Sequence, residues 1–409
     1  MRRLRKLREL QPMILAVSVT IAAALGSVAH ATPYAFPESL HAGGGVLAIV
    51  CDSPYSVPAL SVEYDGLQLL IRRAVEPFGP FDKAGAPGRL ELFAGAGLPQ
   101  WGPGRTGSLV MSGSTPPVPH AGYRLAVGRA HYVRFVGLME SEQRRRLIGH
   151  RLEYSPTSWL SLGVSETAVV SGDASSLLCW PFPGLPLYAL QRAVSQRDRA
   201  QDSLINVNLG ADFVATLPAQ GRRPELEAYG ELLIDDAQGA LSSRDTVPDF
   251  VGGLIGVRIP QFAWDSRLSA FLEYVAIADY VYSHRNSDCD YVYRGVGIGH
   301  SLGPDADMLA VAAEFRPDAG TVVSLLGALV RHGEGEIGHP WSPAEGNDRQ
   351  FPSGIVEKTA RLSLEVERTL LEPVLFTGRL ELGTIFNKGH VLGSTHRYWR
   401  AGAGLGVRL

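Results

Sequence analysis

The strongest constraint on this chain is a segment of about ten residues, repeated many times, in which side chains alternate between apolar and polar and the polar set carries charge. Residues 398–409 show it well. Trp399, Ala401, Ala403, Leu405, Val407 and Leu409 fall on one side, and Arg400, Gly402, Gly404, Gly406 and Arg408 on the other. Successive side chains of a strand point to opposite faces, so one face of each such strand is apolar throughout. Ala360, Leu362, Leu364 and Val366 alternate in the same way with Arg361, Ser363, Glu365 and Glu367, and Leu380, Leu382, Thr384 and Phe386 with Arg379, Glu381 and Gly383. Earlier, Val207, Leu209, Ala211 and Phe213 alternate with Asn206, Asn208 and Asp212, and Leu226, Ala228 and Leu232 with Glu227, Tyr229 and Glu231. A side shared by so many charges is expected to be a wet lumen. As a packed core it would hold unpaired buried charges, each of which is strongly destabilising.

Alternation alone also fits a soluble β-sandwich, whose apolar faces pack together and whose charged faces meet solvent. Three features favour a membrane barrel. Aromatic residues fall at strand ends on the apolar face (Trp159, Phe213, Tyr274, Phe315, Phe386, Trp399), as an interfacial girdle requires. The last strand runs to Leu409 without a tail, as in outer-membrane barrels, although those usually close on an aromatic residue. Connection lengths also alternate: short at 155–158, 217–224, 259–266, 316–320 and 370–373, long at 98–120, 168–204, 235–248, 276–307 and 330–357. Bacterial barrels have short periplasmic turns and long outer loops. The expected fold is therefore all-β, a transmembrane antiparallel β-barrel of about 16–18 strands with long extracellular loops, both termini being periplasmic. Residues 145–154 fit less well, because His150 falls on the lipid side.

The N-terminus reads as a secretory signal peptide over residues 1–31, leaving 32–409 as a single barrel domain. Arg2, Arg3, Arg5, Lys6 and Arg8 precede an apolar run over 13–25, and Ala29-His30-Ala31 supplies a small-x-small cleavage pattern. That run is short of the roughly 20 residues a spanning helix needs. With 46 glycines and 27 prolines, the chain favours short strands and turns over helices. A net charge of −3 gives no basic excess for nucleic acid. Cys51, Cys179 and Cys289 form no metal-ligand pattern and allow at most one disulfide, such as Cys179 with Cys289, and no cofactor is expected.

Residues 272–307 stand apart from the strand pattern. Tyr274, Tyr280, Tyr282, Tyr291 and Tyr293 are interleaved with Glu273, Asp279, His284, Arg285, Asp290, Arg294, His300, Asp305 and Asp307. Glycines at 295, 297, 299 and 303 break any regular element. Aromatic faces beside charged groups suit a surface that holds sugars, and the loop phase puts this stretch outside the cell. Two further clusters share that end: Trp101-Gly102-Pro103-Gly104 with its glycine- and serine-rich continuation, and the Asp235-Asp236 pair. Each has a plain structural reading as a loop corner, a turn cap or a hydrogen-bonded loop histidine. The candidate polysaccharide-binding set at the outer rim is Trp101, Asp235, Asp236, Glu273, Tyr282, His284, Arg285, Tyr291, Tyr293, Arg294, His300, Asp305 and Asp307.

These residues resemble the Wzi-type capsule assembly proteins of the bacterial outer membrane. The likeness is carried by WGPGRTGSLVMSGSTPP from Trp101, LGVSETAVVSG after Ser161, ELLIDDAQ from Glu231, and EYV, YVYSHR and YVYRGVGIGHSLGPDAD within 273–307. It covers about residues 90–316. The resemblance implies an outer-membrane barrel that attaches capsular or other surface polysaccharide, acting as a lectin and not as an enzyme. Polysaccharide and outer-membrane lipid are then the expected partners, with capsule export machinery as a further candidate.

A porin or substrate channel is the first alternative, with Arg361, Glu365, Arg379 and Glu381 lining its pore. An outer-membrane hydrolase is the second, drawing on Glu166, Asp235, Asp236, His284 and His300. For the hydrolase there is no Gly-x-Ser-x-Gly nucleophile motif and no spaced set of metal ligands.

Overall fold

The computed structural model describes residues 39–42, 45–50, 59–64, 67–74, 89–140, 144–172, 187, 204–221, 223–235, 250–342, 345, 350–371 and 374–407. The expected signal peptide, Cys51, Cys179 and Asp236 lie outside them.

Four strands come first: β1 (Ser39–Ala42), β2 (Gly45–Val50), β3 (Ala59–Tyr64) and β4 (Leu67–Ala74), paired antiparallel in order. β4 runs parallel to β5 (Arg89–Ala96), which opens a fourteen-strand antiparallel sheet. Two short strands, β6 (Gln100–Trp101) and β7 (Met111–Ser112), pair within the next connection. The sheet goes on with β8 (Pro119–Val127), β9 (Ala130–Leu138), β10 (Arg146–Tyr154), β11 (Leu160–Val170) and β12 (Ile205–Leu217). Then come β13 (Leu226–Asp235), β14 (Val251–Ile259) and β15 (Leu268–Ile277). After the small pair β16 (Val292–Tyr293) and β17 (Val296–Gly297), it is completed by β18 (Ala306–Asp318), β19 (Thr321–His332), β20 (Glu357–Leu371), β21 (Val374–Phe386) and β22 (Thr395–Val407). All eighteen of these strands belong to one sheet, fourteen of them in its continuous antiparallel run from β5 to β22. Among the described residues β1 and β22 each pair on one side only.

The period-2 pattern sets the faces as expected. Leu309, Leu329, Leu362, Val164 and Ile255 stand exposed on the outer face, an apolar exposure that a water-facing sheet would not carry and a bilayer would cover. The inner face carries Arg151, held by Asp212 at 2.5 Å and Glu153 at 2.7 Å, and Arg258, 2.9 Å from Glu227. Trp159, Phe213 and Phe315 mark the short-turn end and Tyr274 and Phe386 the long-loop end.

Connections at 128–129, 155–159, 218–225, 260–267, 319–320 and 372–373 all fall at one end. Those at 97–118, 171–204, 236–250, 278–305 and 333–356 fall at the other. The second end is the extracellular one.

In two places the structure departs from the sequence reading. The inner face is not wet throughout. Toward the outer end, Phe93, Val133, Phe135, Leu147, Leu233 and Val275 are buried against residues of the 97–118 and 278–305 connections. The loops supply the apolar partners there, and the wall pattern alone cannot show them. His150 does face outward, but it is not bare to lipid. Its Nε2 contacts Glu166 and its Nδ1 lies 3.1 Å from the Tyr132 hydroxyl. The Leu187 N–H donates to Glu166 at 2.8 Å, and Leu187 is buried with Ile148, Ala168, Val170, Ile205 and Val207. Leu187 therefore packs on the outside of the wall here and shields the pair from lipid.

Candidate functional site

The candidate site is the plug that the glycine-rich 97–118 connection and the tyrosine- and glycine-rich 278–305 connection build inside the outer half of the sheet. The 97–118 connection dips inward with its backbone N–H groups turned toward the wall, and two wall glutamates receive them. Glu231 on β13 accepts from Gly104 N–H at 2.7 Å, Leu109 N–H at 2.7 Å and the Ser108 hydroxyl at 2.8 Å. Glu273 on β15 accepts from Arg105 N–H at 2.7 Å, Thr106 N–H at 2.9 Å, the Thr106 hydroxyl and the Tyr229 hydroxyl at 3.0 Å. Each carboxylate replaces lost hydration with donors that suit its charge, which allows both to be buried.

Glycine is required where this loop passes the glutamates. Gly102 has φ +136, and a Cβ there would sit 2.3 Å from both Glu231 Oε1 and Ser108 Oγ. A Cβ on Gly104 would lie 2.0 Å from Gly107 O. The WGPGRTG run is a loop shaped to be gripped through its backbone.

The 278–305 connection packs over the first. Tyr282 and Tyr291 are fully buried and stack with ring centroids 5.8 Å apart. The Tyr282 hydroxyl donates to Leu109 O at 2.6 Å, and the Tyr291 hydroxyl lies 2.9 Å from Val110 O and 2.8 Å from Thr167 Oγ1 on β11. Arg145, just before β10, donates to the carbonyls of Asp290 and Val292, each at 2.9 Å. β10, β11, β13 and β15 thus converge on one plug, which requires the sheet to curve around it.

His300 joins the two connections. It accepts at Nδ1 from Leu302 N–H at 3.1 Å, which places its proton on Nε2, 3.2 Å from Thr106 Oγ1. Burial pushes its pKa down to about 4, so the ring is neutral near pH 7. Burial also pushes the Cys289 thiol up to about 11 and lifts the Tyr282 and Tyr291 phenols above their ordinary value. Among the described residues Cys289 is a free, buried thiol.

The expected rim set divides sharply on this structure. Trp101 is buried edge-on against Phe135 at 5.4 Å, and Tyr293 is buried as well. Asp235 accepts from Tyr282 N–H, and Asp305 from Gly335 N–H at 3.0 Å and Ser353 N–H at 2.9 Å. Glu273, Tyr282, Tyr291 and His300 are consumed by the plug contacts above. Asp307 lies outside the wall, bonded to Arg331 Nε at 2.9 Å and to the Tyr274 hydroxyl at 2.9 Å. Placing all of these at an open rim is therefore corrected: their polar atoms serve the wall and the plug, and the aromatic faces are covered. Arg285 and Arg294 are exposed, His284 is half-buried, and the Arg294 guanidinium lies 5.3 Å from the centre of the Tyr293 ring.

Glu231, Thr106 and Ser108 act in the plug but lay outside the set read from sequence. The signal for them was a lumen-side glutamate shared with no basic neighbour, together with a glycine-rich loop in need of acceptors.

Taken together, the apolar outer face, the charged inner face and the one-sided long loops define an outer-membrane β-barrel whose extracellular end is filled by its own loops. The chain belongs to the Wzi capsule assembly family: the family model described as capsule assembly protein Wzi matches residues 84–368, well over half of the chain. This bears out the likeness read from the motifs and places the protein in capsule assembly at the outer membrane. No curated protein matches it. Among solved structures it is similar to the outer membrane protein OprD from Pseudomonas aeruginosa, with 8% identity and a TM-score of 0.31, covering 70% of this chain and 83% of that one.

Proposed function

We propose that the protein holds capsular or other surface polysaccharide at the cell surface as a lectin-like anchor and catalyses no reaction. The observation that carries this reading is the clamped plug. Glu231 and Glu273 lock the outer connections into one braced platform, a construction suited to presenting a fixed surface. Arg285 and Arg294 on that platform are exposed and can meet acidic sugars. Single contacts of this kind are weak, so a long polymer would be held by repeated units meeting many copies of the protein. His300 and Asp235 are already committed to structural bonds, which supports a role without chemistry.

The test is the partition of surface polysaccharide between cells and medium in a strain lacking the gene, with total polymer measured. Unchanged total with polymer moved to the medium supports attachment, and complementation by Arg285→Glu with Arg294→Glu should fail to restore it. An unchanged partition refutes the anchor.

A channel is the second reading. A cavity of about 750 Å³ runs beside the plug, lined by Arg258, Glu314, Arg361, Glu365 and Arg379. Large steady currents from the purified protein in a planar bilayer would favour it.

A further inference from the structure

The outer wall is not uniform toward the bilayer. Between β15 and β22 it holds an apolar groove of about 620 Å³. The register explains the groove: Gly327 on β19 stands opposite Val311 and Leu362, and Ala360 on β20 opposite Leu329 and Thr384. Two small residues thus make a floor among Leu309, Leu329, Leu362 and Leu382, all exposed. A Cβ on Gly327 would meet Val311 at 3.6 Å, so a larger side chain there would rise into the groove without disturbing the backbone.

Basic residues lie directly above this floor, on the same face and toward the extracellular end. Arg331 pairs across the strands with Lys358, four residues beyond Gly327 and two before Ala360. Arg397 lines the groove itself, opposite Thr384. Arg331 is held by Asp307, whereas Lys358 and Arg397 are exposed and have no ion-pair partner among the described residues. Tyr274, bonded to Asp307, marks the interfacial level.

An apolar groove below and unpaired cations at headgroup height is the pattern complementary to an acylated lipid bearing phosphate. The geometry points to a binding site on the outer wall of β18–β22 for an anionic, phosphorylated, multiply acylated lipid of the outer leaflet, its chains over Gly327 and Ala360 and its phosphate between Lys358 and Arg397. Such a lipid would fix the barrel's depth and orientation beneath the polymer. The site stands whether or not the loops bind polysaccharide.

The test is native mass spectrometry of the full-length detergent-purified protein, titrated with bisphosphorylated lipid A, the same lipid with its phosphates removed, phosphatidylethanolamine, and inorganic phosphate. We expect one bisphosphorylated lipid retained in preference to the other three. The double variant Lys358→Glu, Arg397→Glu should weaken it roughly thirtyfold, the fold-change that about 1 kcal/mol for each of the two cations gives. Gly327→Leu should weaken both phosphorylated and phosphate-free forms, and Arg267→Glu at the periplasmic end should change nothing. Heat-modified gel mobility confirms that each variant is folded, and a lipid-independent Gly327→Leu effect on that mobility is controlled by Gly327→Ala, which should bind normally. Equal retention of the phosphate-free lipid, equal binding by the double variant, or displacement by inorganic phosphate alone would each overturn the proposal.

Discussion

Replacing Glu231 with alanine tests the clamp directly. In the intact protein Glu231 is the acceptor for two buried backbone N–H groups, Gly104 and Leu109, and for the Ser108 hydroxyl. A buried N–H left without an acceptor costs about 1–3 kcal/mol, so the two together amount to about 2–6 kcal/mol. Water entering the space of the lost side chain recovers part of this. The lower end is the safer expectation, and it corresponds to a roughly 30-fold rise in the open fraction of the plug, since about 1.4 kcal/mol is a factor of ten. Amide hydrogen exchange read over the 100–112 peptide reports that fraction, because exchange from a locally opened segment follows its opening equilibrium. The effect should be local: peptides of β19–β21, which do not touch Glu231, should exchange as in the parent protein. Unchanged exchange at Gly104 and Leu109 in a folded Glu231→Ala protein would refute the clamp.

Two further outcomes follow from the same plug. The His300 pKa is lowered, so the contribution of the neutral ring to stability is fully present above about pH 6.5 and is lost as pH falls toward about 4, where the folded form itself protonates. The span corresponds to about 3 kcal/mol, so the open fraction of the 278–305 connection, read as amide exchange divided by the intrinsic rate at each pH, should rise between pH 7 and 4.5. His300→Gln should flatten that dependence, and an identical acid response in the variant would assign it elsewhere. Cys289, with its thiol pushed up to about 11 and buried beside Ser171, should resist iodoacetamide at pH 8 in the folded protein. It should react once Tyr291→Ala empties the neighbouring stack; rapid labelling of the parent protein would contradict the burial.

Much of the fold is set by the sequence alone because its rule is local. Alternation with period two, as in 360–367 and 398–407, assigns each side chain a face without knowledge of any other strand. Connection lengths such as 319–320 against 278–305 assign each end a side of the membrane. The tyrosine- and glycine-rich motifs likewise marked the right segments and the family.

What those segments do was decided by tertiary structure. A tyrosine that stacks on sugar and one that seals a plug have the same side chain and the same neighbours in sequence; only the partner differs. Here the partners are distant: Gly104 meets Glu231 across 127 residues, Arg105 meets Glu273 across 168, and Thr106 meets His300 across 194. No local period records such contacts. They exist because strand curvature brings β11, β13 and β15 around one volume, and buried N–H groups in that volume must find acceptors. The same holds for His150 and Glu166, whose outward placement is legible in the alternation. Their shelter from lipid depends on Leu187, a contact the strand pattern does not record.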